Sequence, residues 1–117
     1  MEDLYNILET LKKEPYRLGK HSIFNLEAFF LGYDYAMHNT QSPSYKKFRQ
    51  EFSELIRWIC NKYSAGKNRA WSSVILFYSE DERDALDKFF ELSDEFFAHK
   101  KHLENQYSDN NKDIKND

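Results

Sequence analysis

Apolar residues recur along this chain at the spacing of α-helices, with few breaks between the periodic segments. Leu4, Ile7, Leu8 and Leu11 form an i, i+3, i+4, i+7 stripe that predicts a first helix over residues 3–13. Asp3 at its start and Lys12 and Lys13 at its end suit the helix dipole, and Pro15 stops it. In the loop over 14–21, Gly19 is expected to take a positive φ. Residues 22–38, SIFNLEAFFLGYDYAMH, are apolar almost all the way round. Ile23, Leu26, Phe30, Tyr33 and Met37 share one face, and Phe24, Ala28, Leu31 and Tyr35 share a second. A helix of this kind has to be surrounded, so it is expected to be the central one. Ser22 is its N-cap. Gly32 costs about 1 kcal/mol relative to Ala inside a helix, which points to a close helix crossing.

Ser42 and Pro43 open a third helix running to about Tyr63. Its apolar positions, among them Tyr45, Phe48, Phe52, Leu55 and Ile59, fall in an arc of about 100°. Trp58 points the other way. Ala65 and Gly66 end the helix, Gly66 as an αL cap. The segment WSSVILFY at 71–78 suits a strand or a short buried helix, and a lone strand has no partner here, so a helix is expected. Trp58 is either covered by that segment or exposed as an interface anchor. Ser79-Glu80-Asp81-Glu82 reads as a capping box opening the last helix. Ala85, Leu86, Phe89, Phe90 and Phe96 give that helix a wide apolar face. From residue 104 the chain is too polar to offset the entropy of ordering. The pattern therefore predicts one all-α domain over 1–103, a compact bundle of about five helices around 22–38, and a disordered polar tail over 104–117.

Composition narrows the class. A chain of 117 residues fits one domain, and its ten Phe, eight Tyr and two Trp supply core material. Three Gly and two Pro are too few for a many-turned β fold. The net charge of −3 implies neither a polyanion nor an anionic membrane as partner. Cys60 is the one cysteine and forms no internal disulfide, which suits a reducing cytoplasm. No apolar run reaches the roughly 18 residues of a membrane span, and the acidic start MEDLYNILE is unlike a signal peptide.

Charge is distributed unevenly. Between Glu80 and Glu95 there are eight acids and two bases. Asp84, Asp87, Glu91, Asp94 and Glu95 share one helix face, although like charges four apart weaken a helix. Such a face is either simply solvated or a surface for a basic partner. The segment 45–69 has seven bases and two acids and could pair with it. It has no nucleic-acid recognition motif, so direct nucleic-acid binding is not expected. Glu27, Asp34 and His38 fall on one strip of the 22–38 helix, the nearest thing to a catalytic or metal-holding set, and Glu95 and His99 repeat the carboxylate–histidine spacing. The chain lacks a Walker loop, HExxH, paired CxxC, GxSxG and the Glu-x-x-His spacing of di-iron bundles. Cys60 lies near a buried stripe and reads as packing. These residues predict no catalysis, no metal and no cofactor.

Three pieces of sequence carry a resemblance. They are Pro15-Tyr16-Arg17-Leu18-Gly19 leading to Ser22, the FFLGYDYA run at 29–36, and Trp71 followed by Ser79-Glu80-Asp81-Glu82 and Ala85-Leu86-Asp87-Lys88-Phe89-Phe90. Over residues 4–97 the chain resembles small helical immunity proteins of bacterial contact-dependent growth inhibition and other polymorphic toxin systems. It departs from their usual look at Glu14, where a basic residue precedes the proline, and at Arg17, where an aromatic precedes Leu-Gly. The resemblance implies a non-catalytic cytoplasmic protein that binds and neutralises one cognate toxin by covering its active site. Such proteins diverge most where they touch the toxin, so no contact residue carries over. If the toxin is a nuclease, its basic site would meet the acidic face of the last helix, with Trp58 and Tyr16 as aromatic anchors. Failing that, the contact is expected on Glu27, Asp34, His38 and the loop from Tyr16 to His21. The alternative is a helical regulatory module with another protein partner.

Overall fold

The structure is a computed structural model, and it describes residues 3–64 and 70–115, with side chains as far as 108. Among these residues five α-helices and one 3-10 turn form an all-α bundle with no strand. Helix α1 is Leu4–Lys13, followed by the 3-10 turn Pro15–Leu18. Helix α2 is Ile23–Met37, α3 is Pro43–Lys62, α4 is Trp71–Phe77 and α5 is Glu82–Lys115. The segment 71–78 is thus helical, as the absence of a pairing strand suggested. The expected αL cap at Gly66, and the bases Lys67 and Arg69, lie outside the described residues.

Local chemistry sets most of the boundaries. The Asp3 carboxylate accepts from the Asn6 amide at 2.9 Å and caps α1. The Ser22 hydroxyl accepts from Phe24 N, and that of Ser42 accepts from Tyr45 N, with Pro43 in the first turn of α3. Gly19 takes φ +78° after the 3-10 turn. The cap of α5 differs from the expected box. Asp81 is the capping residue, accepting from Asp84 N at 2.8 Å, and Asp84 reaches back to Glu80 N at 2.9 Å. Ser79 instead donates to the Ile75 carbonyl at the end of α4, and Glu82 pairs with Lys20. The reciprocal logic survives, two residues later, because α4 claims Ser79 first.

The centre of the bundle is α5, not α2. Helix α5 packs against each of the other four α-helices, and Ala85, Leu86 and Phe89 are fully buried. Helix α2 buries only Ile23, Leu26 and Phe30. Its second apolar face is uncovered, with Leu31 66% and Tyr35 79% exposed and Phe24 and Ala28 also exposed. The chain has too few other helices to enclose two such surfaces, and the longer helix takes the centre. Gly32 lies on this open side, with nothing within 4 Å of where a Cβ would stand, so it serves no helix crossing.

Beyond residue 103, where the sequence predicts disorder, the structure continues α5 as helix to Lys115. No Pro or Gly interrupts residues 104–115. The side chains described there stay exposed, Tyr107 among them. Among the described side chains, the last tie to the bundle is Lys100, which donates to Glu51 at 2.9 Å and Glu54 at 3.3 Å on α3.

Candidate functional site

The acidic face of α5 is fastened along both edges. Towards α1 and the following loop, Asp94 takes Lys12 Nζ at 2.6 Å and Asp87 meets His21 Nε2 at 2.8 Å. Towards α3, Glu95 takes Lys62 Nζ at 2.6 Å. Asp84 is engaged by the Glu80 amide and by Lys88 at 3.3 Å, which holds its carboxyl below the ordinary range. Glu91, in the middle of the arc, has no ion pair among the described residues. The bases that the sequence set against these acids thus reach them in part: Lys62 does, while Lys46, Arg49 and Arg57 do not.

The two candidate anchors sit apart. Trp58 is half-buried on the side of α3 that faces α5, edge-on to Phe96 at 5.9 Å, with Lys62 Nζ 4.3 Å above its ring. Its cover is therefore α5 and a lysine stem, not the 71–78 helix. Tyr16 is 71% exposed on the 3-10 turn, beside the Arg17 guanidinium.

The strip on α2 resolves into three separate structural bonds. Glu27 accepts from the buried Ser72 hydroxyl at 2.6 Å, which locks α2 to α4. Asp34 accepts from the Tyr45 hydroxyl, which ties α2 to α3 and pushes the phenol's pKa up. His38 Nδ1 turns back to its own helix, 2.6 Å from the Tyr35 carbonyl. Glu95 likewise turns to Lys62. No group of three or more His, Cys, Asp or Glu side chains among the described residues is placed to hold a metal. Cys60 is partly buried, and burial raises its thiol pKa, which disfavours the thiolate.

What the sequence reading missed lies on the α2–α3 hairpin. These helices run antiparallel and meet through rings, with Phe30 against Phe52 at 4.8 Å and Tyr33 against Phe48 at 4.8 Å. Beside this contact a groove of about 370 Å³ opens between α2, α3 and the start of α4. Phe30, Phe52, Ile56 and Trp71 line its floor, Leu31 and Asp34 its α2 rim, and Arg49 and Ser53 its α3 rim. Leu31 joins the groove to the uncovered strip of Phe24, Ala28 and Tyr35, making one continuous apolar surface. The signal was present in the all-round apolar pattern of 22–38, in a chain with too few other helices to cover it.

No family model, characterised protein or solved structure matches this chain. No helix among the described residues is long and apolar enough to cross a membrane.

Proposed function

We propose that this chain is an immunity protein, a non-catalytic helical domain that binds a cognate bacterial toxin and covers its active site. The observation that carries the protein-binding part is the uncovered α2 strip with its adjoining groove. Monomeric proteins seldom leave large rings and leucines contiguous in water unless a partner meets them. Phe24, Leu31 and Tyr35 are exposed together on one helix that has ample polar alternatives elsewhere in the chain. The toxin part rests on the resemblance of residues 4–97 to small helical immunity proteins. Glu27, Asp34 and His38 are each engaged in a structural bond of the fold.

On this reading the contact lies on the α2 strip and its groove. Asp84, Asp87, Asp94 and Glu95 already answer a cation, an imidazole or an amide of their own chain, so a basic toxin would compete with those partners for that face. The case for a nuclease partner leaned on that face and weakens with it. The experiment is co-expression of the chain with the toxin domain encoded next to it. Restored growth and a stoichiometric complex on gel filtration are the expected result. A neighbouring frame with no toxic activity, or a toxin that kills equally well with the chain present, would overturn the reading.

A further inference from the structure

Two independent features meet at the α2–α3 hairpin. The first is the apolar groove, open along the α2 strip through Leu31. The second is electrostatic. Lys46, Arg49 and Arg57 lie on one solvent stripe of α3, spaced i, i+3, i+11, and all three are exposed. None of them forms an ion pair among the described residues. The acids of the same helix, Glu51 and Glu54, are on its other side, holding Lys100. Across the groove, Glu27 and Asp34 are already bonded to Ser72 and Tyr45. The groove is therefore two-sided in charge: the Arg49 guanidinium lies on its α3 side, and the Glu27 and Asp34 carboxylates, each hydrogen-bonded to a neutral hydroxyl, lie on its α2 side.

We infer that the α2–α3 groove receives an amphipathic helix of a partner protein, bulky apolar residues inserted between Leu31 and Ile56 and acidic residues along the edge over Arg49. The occupant is a helix because an all-α surface offers no sheet edge for an added strand, and an apolar channel between two helices is the standard seat for a helix. About 370 Å³ admits a few large side chains and not a whole helix, so the helix lies over the groove and anchors into it. The acids belong on one edge only. Over α3 they meet Arg49, whereas over α2 they would meet Asp34 and Glu27. Phosphate-rich partners fit poorly, since the floor is aromatic and one rim is carboxylate. The inference deepens the protein-binding half of the proposed function and does not need the partner to be a toxin.

The test is a displayed library of amphipathic helices, randomised at apolar and flanking positions and panned against the full chain. Selected helices should carry large apolar residues at i, i+3, i+4 and i+7 and Asp or Glu along one edge. Leu31→Glu should weaken their binding at least tenfold. Arg49→Glu should weaken it severalfold and flatten its salt dependence, as steering charges do. Both positions are exposed, so unchanged circular dichroism and melting will certify the fold of each variant. Selected helices rich in Lys and Arg, binding indifferent to Leu31→Glu, or no selected helix at all would each overturn the inference. So would a concentration-dependent dimer of the free chain that Leu31→Glu abolishes, since the groove would then seat a second copy. Toxin rescue separates the two readings. A Leu31→Glu chain that still protects fully sinks the groove and leaves immunity standing. Acidic helices selected as described, with no toxin neutralised, sink immunity and leave the groove standing.

Discussion

Lys12 Nζ on α1 lies 2.6 Å from Asp94 Oδ1 on α5, and this pair decides how the acidic face can be used. Burial works against the charge on Lys12, but its hydrogen bonds to Asp94 and Glu9 outweigh that and raise its pKa. On the other flank Lys62 holds Glu95. The carboxylates of α5 therefore act first as seams that close α1 and α3 onto the central helix.

If the acids are seams, reversing them has position-dependent consequences. Asp94→Lys should lower stability by up to about 1 kcal/mol, the usual range for an exposed pair, and adding Lys12→Glu should recover most of it. Glu91→Lys should be neutral or slightly stabilising, because it relieves repulsion from Asp87 and Glu95 one turn away. Urea unfolding of the four chains checks this. Equal losses at 91 and 94 would mean that the Lys12 pair does not operate in solution.

Gly32 gives a second expectation. It sits inside α2 with open space where a Cβ would go and no positive φ to protect. Gly32→Ala should then stabilise the fold by about 0.5–1 kcal/mol and raise the melting temperature by several degrees. A loss of stability would show that something packs there. The same variant should hardly disturb partner binding unless the partner approaches that turn closely.

How far the fold could be read from the chain follows from the range of each interaction. Helix type and most ends were legible because the chemistry is local: Asp3, Ser22 and Ser42 cap within three residues, and Gly19 must relieve its own backbone. The choice of α5 over α2 as centre was not legible. Both are rich in large apolar residues, and periodicity does not say how many neighbours a helix finds. The bonding partners of the acidic face were hidden for a related reason. Sequence showed that Asp87 and Asp94 share a side of α5, but not that His21 and Lys12 stand opposite them, 66 and 82 residues away. The strip Glu27, Asp34, His38 was placed correctly on one line of α2, yet its bonding partners Ser72 and Tyr45 belong to other helices.

The cap of α5 links stability to acid. The Glu80 amide and Lys88 favour the charged form of Asp84, so its folded pKa lies below the ordinary 3.8. A depressed carboxylate contributes fully above its unfolded pKa and loses that contribution as pH falls through the folded value. Wild type should therefore lose stability below about pH 4 more steeply than Asp84→Asn, with the two curves converging in strong acid. Asp81→Ala should cost about 1 kcal/mol at neutral pH through loss of the cap. Ser79→Ala should leave α5 in place, because that hydroxyl serves α4.

The last expectation concerns where the domain ends. Lys100 is the final described side chain with a hydrogen bond into the bundle, and there too the Glu51 and Glu54 hydrogen bonds outweigh the burial that would lower its pKa. Beyond it Leu103 and Tyr107 are exposed, so over residues 101–108 the helix rests mainly on its own backbone. Unsupported helix contributes weakly, since most helical stability in proteins comes from packing an apolar face. A chain ending at Asn105 should consequently melt close to the full-length temperature while showing less helical signal per molecule in the far ultraviolet. Lys100→Ala, by contrast, should cost up to about 1 kcal/mol, because it leaves Glu51 poorly solvated and unpaired. The two constraints together locate the boundary. A truncation that lowers the melting temperature by many degrees, or a Lys100→Ala chain that melts like wild type, would move the structural end of the domain to a different turn of α5.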